Sequence, residues 1–285
     1  MPGFLRKIQF ICILGILIFI SSYPITDKIQ ITASAEETGE VYFDQLMGEF
    51  STSYATSGHG RRTNVELAAK ALDGARVLPG EQFSFNKTVG VRSAERGYMP
   101  APVIEGGKYV NGIGGGVCQV STTLYNAVIR SGFERVSAVR HTIPAGYVPL
   151  SMDAAVSEYT DFLFVNDSPY PVRIECKAIK GNLTAKLYGF PYYTDGLSVK
   201  FVSNLIKVTP CTEYQIEPDY SGALNPGESE RIVRATIPKR ESELIKITYY
   251  MGKEVERKRF RHDVYPAVKG IKIKADQPLP DISIF

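Results

Sequence analysis

The sequence predicts an α+β protein: a helix led by a Gly-rich loop and packed on a mostly antiparallel sheet, followed by a small all-β module. Three observations carry that expectation. Behind the four glycines of 112–116, Val117, Val120, Leu124, Ala127 and Val128 recur at helical spacing until Ser131-Gly132 ends the pattern. Residues 161–166 and 171–176 are rich in β-branched and aromatic side chains, with the turn Asn166-Asp167-Ser168-Pro169 between them. After Pro191-Tyr192-Tyr193 the chain becomes a series of short, charged, alternating segments.

Taken in chain order, residues 36–59 are polar and read as a linker. Thr63-Asn64-Val65-Glu66 then opens a short capped helix through Leu67, Ala68, Ala71 and Leu72 that closes at Gly74. Val77-Leu78-Pro79-Gly80 is a turn, Gln82 to Phe85 a strand, and Ile104 to Val110 a strand or hairpin arm broken at Gly106-Gly107. From Glu134 to Gly189 the chain reads as successive strands. Residues 198–202, 206–208, 231–237, 244–250 and 255–260 follow as strands of the second module, with turns at Gly196 and Asn225-Pro226-Gly227. The expected division is 60–194 for the first domain and 195–285 for the β module.

Charge and the N-terminus bound the class of function. A net charge of +3, from 33 basic and 30 acidic residues, creates no strong field, so a nucleic-acid partner is not expected. Arg6 and Lys7 precede an apolar run from Ile8 to Ile20, shorter than the roughly 20 residues of a full membrane span. With Ala33-Ser34-Ala35 behind it, residues 1–35 are either a cleaved signal peptide or an N-terminal anchor in the cytoplasmic membrane. The expected location is extracytoplasmic in both cases.

Cys12 sits inside the apolar run as a filler, which leaves Cys118, Cys176 and Cys211. Three thiols in an oxidising compartment leave at least one unpaired. Cys176 and Cys211 flank the expected boundary, where a disulfide would clip the two modules together and leave Cys118 free.

Cys118 stands in the first turn of the expected helix, where free N–H groups and the helix dipole favour a thiolate. The same N–H groups suit the oxyanion formed when a thiolate attacks a carbonyl. On spacing alone, a small packing residue is the simpler reading of this cysteine. The glycines lack the Lys-Ser/Thr ending of a P-loop, and no metal-ligand spacing occurs, so neither a cofactor nor a metal is expected. Of the histidines, His141 falls in the same domain, whereas His59 and His262 lie in polar or basic surroundings that suggest solvation. Asp153 and Asp161 are the candidates to orient it.

The residues Pro79-Gly80-Glu81-Gln82-Phe83-Ser84-Phe85-Asn86, Val89-Gly90, Gly97-Tyr98 and 114–126 (Gly-Gly-Gly-Val-Cys-Gln-Val-Ser-Thr-Thr-Leu-Tyr-Asn) resemble the VanW family. The likeness continues through Glu134-Arg135, His141, Tyr147-Val148-Pro149, Asp153-Ala154 and Asp161-Phe162, over about residues 60–190. The family takes its name from glycopeptide-resistance clusters of Gram-positive bacteria and occurs in exported, wall-associated proteins. Some VanW-domain proteins act as L,D-transpeptidases through the cysteine of the Gly-Gly-Gly-x-Cys-Gln motif.

That resemblance implies Cys118 as nucleophile, His141 as proton carrier and Asp153 as its orienting acid, with peptidoglycan stem peptides as partners. Gly115, Gly116, Gln119, Ser121 and Thr122 become the expected substrate and oxyanion contacts. The alternative is a non-catalytic envelope module that binds wall peptides or resistance partners. One position departs from the family: the glycine that commonly follows Tyr-Val-Pro two positions on is Ser151 here.

Overall fold

The computed structural model describes residues 44–105, 107–220 and 222–275; the N-terminal apolar run and the Ala33-Ser34-Ala35 segment lie outside them. The architecture is mixed α and β, with small, mainly antiparallel sheets around one central helix. Among the described residues no helix is long and apolar enough to cross a membrane.

The first sheet has the order β1-β9-β8-β2, formed by β1 (Gln45–Ser53), β2 (Arg76–Val77), β8 (Val172–Ile179) and β9 (Asn182–Gly189). β8 and β9 alternate buried and half-buried positions, so Ile174, Cys176, Leu183, Ala185 and Leu187 form the face that receives the helices. Helix α1 (His59–Leu72) and helix α3 (Val117–Arg130) lie against that face. Between α1 and α3 come β3 (Gln82–Ser84), the one-turn helix α2 (Phe85–Val89) and the hairpin β4 (Pro100–Glu105) and β5 (Lys108–Ile113).

Helix α3 is buried along almost its whole surface; Val120, Leu124 and Val128 are fully enclosed, as the helical spacing implied. Its second side is covered by the sheet β3-β7-β6, with β6 (Val136–Ser137) and β7 (Leu163–Val165). Phe83, Phe133, Phe162 and Phe164 stack there, and Tyr125 of α3 meets Phe162 edge-on at 5.9 Å between centroids.

The later strands make two further sheets. β10 (Leu197–Thr209), β13 (Lys239–Tyr250) and β14 (Lys253–Tyr265) are antiparallel, in the order β10-β13-β14. β11 (Tyr214–Pro218), β12 (Glu230–Arg234) and β15 (Gly270–Lys274) follow, with β11 and β15 parallel. Phe201 of β10 and Leu244 of β13 belong to the same buried cluster as α3, and the Arg130 guanidinium lies 4.4 Å from the Phe50 ring and 5.7 Å from that of Phe201.

Several elements differ from the sequence expectation. Residues 45–53, placed in a linker, form β1, whose Gly48 passes so close to α3 that a Cβ would sit 2.7 Å from the Ser131 nitrogen. Helix α1 begins at His59 rather than at Thr63, whose hydroxyl donates back to the His59 carbonyl within the helix; Asn64 lies inside it and is buried. Its amide binds the Met99 backbone and the Gly115 carbonyl. Residues 206–208 are not a separate strand: a bulge between Leu205 and Lys207 interrupts the alternation within β10.

Strands also fail to fill 138–162, which is irregular apart from a bridge between Val139 and Ala155. Side chains of α3 take the backbone groups there that a ladder would have used, as the site geometry shows. Finally, Cys176 and Cys211 are not bonded to each other, and all three described cysteines are free. Cys176 faces the core from β8, paired across the sheet with Ala185, while Cys211 is half exposed beyond β10.

Candidate functional site

The site is assembled at the N-terminus of α3. Two glycines of the preceding loop are fixed by local geometry. Gly116 caps the helix at φ 107°, a left-handed conformation that strains other residues. Gly115 passes so tightly under β4 that a Cβ would meet the Pro102 oxygen at 2.6 Å and the Ala101 oxygen at 2.7 Å. Val117 N–H is bonded to Gly114 O and Gln119 N–H to Gly116 O. Among the described residues no acceptor meets the N–H groups of Gly116 and Cys118, as is usual in the first turn of a helix.

Cys118 is the one residue of 117–129 that is not buried. Its sulfur lies 3.2 Å from Val156 O and 3.4 Å from Val156 N. It opens onto a cleft of about 1030 Å³ between the β4–β5 hairpin, the Gly114–Cys118 turn and the irregular stretches around His141 and Val156.

His141, on the irregular segment, lies near Cys118. Its ring Nδ1 is 2.7 Å from Asp153 Oδ2, and its backbone N–H donates to the same oxygen at 2.6 Å. A carboxylate only accepts, so Nδ1 carries the proton, and the ring is near enough to Cys118 for each to shift the other's ionisation. Both side chains are almost completely enclosed, at 9% and 2% exposure.

The other polar residues of 118–126 are clamps. Gln119 lines the cleft, but its side-chain polar groups are already engaged: its amide donates to Thr52 Oγ1 and Ser53 O of β1, and its oxygen accepts from Arg61. Thr123 bonds Thr52 at 2.8 Å. On the opposite side Ser121 and Thr122 hold the Ala154 backbone, and Asn126 holds the Met152 carbonyl at 2.6 Å. Three α3 side chains thereby fix the segment that carries Asp153. The hydroxyls of Ser121 and Thr122, expected as substrate contacts, are fully buried in this task, whereas Gly115, Gly116 and Gln119 do line the cleft.

Of the remaining candidates, Asp161 caps α2, accepting from Ser84 Oγ and Asn86 N, and takes no part beside His141. His59 is exposed at the start of α1, and His262 pairs with Glu241 at 2.9 Å. Sequence reasoning missed one participant: Tyr265 of β14 donates to Asp153 Oδ1 at 2.6 Å from 112 residues away.

Residues 60–188 match the family model described as VanW like protein. That segment resembles a VanW-like domain. Over 145 residues the chain is 43% identical to "Uncharacterized protein YoaR" of Bacillus subtilis (strain 168), covering 50% of this chain and 48% of that protein. Over 111 residues it is 31% identical to "Vancomycin B-type resistance protein VanW" of Enterococcus faecalis (strain ATCC 700802 / V583), covering 37% and 40% respectively. The chain thus spans about half the length of the first of these relatives and less of the second. Two solved G5 structures, of HP0197 and of an IgA1 protease, align at 14% identity with TM-scores of 0.16 and 0.18. They cover 27% and 28% of this chain, and 96% and 93% of their own.

Within the matched segment the electrostatics of Cys118, His141 and Asp153 are mutual. Burial would push the Cys118 thiol up, but the hydrogen bond and charge of His141, the Val156 backbone and the charge of Arg92 bring it below its ordinary value. Burial would likewise lower His141, yet Asp153 and Cys118 raise it to about 9. The Asp153 carboxyl is held below its usual range by His141 and Tyr265 against the opposing effect of burial. Cys118 and His141 thus each favour the charged form of the other, and they titrate as a unit.

Proposed function

We propose that this VanW-like protein is a cysteine acyltransferase of the bacterial cell envelope, an L,D-transpeptidase that crosslinks peptidoglycan stem peptides through a thioester at Cys118. One observation carries the reading: the only half-exposed position of the α3 N-terminal half is a thiol, backed by the buried His141–Asp153 pair and opening onto the cleft.

In this mechanism the Cys118 thiolate attacks the carbonyl carbon of the third stem residue, and the N–H groups of Gly116 and Cys118 receive the oxyanion. The C–N bond to the terminal D-alanine breaks as His141 Nε2–H protonates the departing amine. A side-chain amine of a second stem then attacks the thioester and gives its proton to His141. The C–S bond breaks, and the thiolate is restored. Asp153 holds the imidazole in the tautomer both steps need.

The cleft's charge supports an anionic donor. Arg61, Arg92 and Arg140 line it, and among the described residues none of the three pairs with a carboxylate. Arg92 is held by neutral acceptors only, Asn86 Oδ1 and the carbonyls of Gly90 and Ser157, beside the thiol whose ionisation its charge favours. Stem peptides carry free carboxylates that suit such a wall. The non-catalytic alternative calls for a thiol closed to substrate, which the open Cys118 does not favour.

The test is incubation of the purified chain with tetrapeptide muropeptides, following crosslinked dimers and released D-alanine by mass spectrometry. Wild type is expected to form both, and Cys118→Ala and His141→Ala neither. Equal product from wild type and Cys118→Ala rules out cysteine catalysis.

A further inference from the structure

The support beneath Asp153 comes from beyond residue 188, outside the segment that matches the VanW-like family. Tyr265, at the end of β14, is 1% exposed. Its hydroxyl donates to Asp153 Oδ1 at 2.6 Å and accepts the Ser151 N–H at 2.8 Å. The same β13–β14 hairpin supplies Arg261, whose guanidinium binds the Asp153 carbonyl at 2.6 Å, and Ser242, whose hydroxyl meets that of Ser151 at 2.8 Å. Ser151 itself sits at φ 62°, in the left-handed region that favours glycine, so the segment needs an external hold to keep this shape.

We propose that Tyr265 is a positioning residue for the Cys118–His141–Asp153 relay, which makes the β13–β14 hairpin a working part of the site rather than an appendage. The inference rests on Cys118 being an activated thiol, and on no particular substrate. Asp153 Oδ2 is taken by the ring and backbone N–H groups of His141, so Oδ1 depends on Tyr265 alone for a side-chain donor. Without that hydroxyl a buried carboxylate oxygen is left unsatisfied. The carboxyl then either turns from His141 or binds a proton more readily, and each change weakens its hold on the imidazolium.

The other charged and titratable groups around Asp153 stay in place when only the Tyr265 oxygen is removed. From α3 these are Cys118 and Tyr125, from β14 Arg261 with its partner Asp263, and from the irregular segment His141 and Tyr147. Arg140 lies over the Tyr265 ring at 5.6 Å from its centroid, a contact that phenylalanine keeps.

The experiment measures the rate of Cys118 alkylation by iodoacetamide against pH in the full chain. A Cys12→Ser, Cys211→Ser background leaves only Cys118 and the buried Cys176 as thiols. Relative to that background, Tyr265→Phe is expected to move the midpoint up by about one pH unit. Ser242→Ala, which removes only the tether to Ser151, is expected to leave the midpoint in place. A Tyr265→Phe protein with a lower melting temperature but an unchanged midpoint overturns the proposal and makes Tyr265 a packing residue. A background midpoint in the ordinary thiol range instead defeats the activated-thiol reading itself. Should Tyr265→Phe fail to fold, proton NMR of the unmodified chain decides: a low-field, slowly exchanging Tyr265 hydroxyl proton supports the relay, and its absence overturns it.

Discussion

His141 Nδ1 lies 2.7 Å from Asp153 Oδ2, and the backbone N–H of the same histidine donates to the same oxygen at 2.6 Å. The carboxylate therefore fixes both the ring and the chain that carries it, and the imidazole's protonation follows from that double hold. Asp153→Asn keeps the shape but removes the charge. The His141 titration, read from its imidazole proton shifts by NMR, is expected to fall from about 9 toward the ordinary 6.5. A titration still near 9 would contradict this role for Asp153.

The same shift makes a stability prediction with a definite sign. The folded value of His141 lies above its ordinary 6.5, so its contribution is fully present below that value and is lost as pH rises through about 9. Urea unfolding midpoints are expected to decline between about pH 7 and pH 10, and to decline less in Asp153→Asn. Parallel declines in the two proteins would show that other groups dominate this window.

Gln119, which the motif suggested as a substrate contact, is expected to behave as a structural residue. Its side chain joins Arg61 to Thr52 and Ser53 of β1 at the wall of the cleft. Gln119→Ala leaves buried donors and acceptors unpaired and is expected to cost about 1–3 kcal/mol in urea unfolding. The alkylation rate of Cys118 at neutral pH is expected to stay within about twofold of wild type, since the change leaves its ionising neighbours in place. A large loss of reactivity in a protein of unchanged stability would reverse this assignment.

Ser151 is placed where a glycine's freedom is worth something, and its hydroxyl offsets the cost by meeting Ser242 at 2.8 Å. Ser151→Ala loses the hydrogen bond and keeps the left-handed backbone. Ser151→Gly loses the bond but relieves the strain. The alanine variant is therefore expected to be the less stable of the two by about 1 kcal/mol, measured by urea unfolding. Equal or greater stability for alanine would show that the backbone there is unstrained.

Arg92 offers a test of what the cleft receives. Arg92→Gln removes a charge that stands beside Cys118 with neutral partners only. The substitution is expected to slow the reaction with a carboxylate-bearing tetrapeptide by about tenfold more than alkylation by neutral iodoacetamide, as fits the loss of one charged contact. Equal slowing with both would assign Arg92 to thiol ionisation alone.

What the sequence revealed and what it hid follow from how each signal is carried. Helix α3 was legible because Val120, Leu124 and Val128 repeat on one face, and its glycine-led start pointed directly at Cys118. Strand β1 was not legible. Its fully buried residues are only Met47 and Thr52, and Thr52 serves as a polar partner for Gln119 and Thr123, so the segment resembles a polar linker. The irregular stretch around His141 and Asp153 has no period to detect, since its backbone is held by Ser121, Thr122 and Asn126 rather than by neighbouring strands. Tyr265 left no local trace, because its partner Asp153 is brought to it only by the completed fold. The polar run after Cys118 looked like substrate contacts for a related reason: spacing along a helix does not tell which face meets a cleft and which meets a sheet.

The claim that Cys118 is an acyl-carrying nucleophile is tested most directly by intact-protein mass spectrometry after brief incubation of the chain with tetrapeptide stems. The account predicts an adduct with the mass of the donor less its terminal D-alanine, mapped to Cys118 by peptide analysis and absent from Cys118→Ala. Crosslinked product formed with no adduct on Cys118, or formed equally by Cys118→Ala, would contradict it.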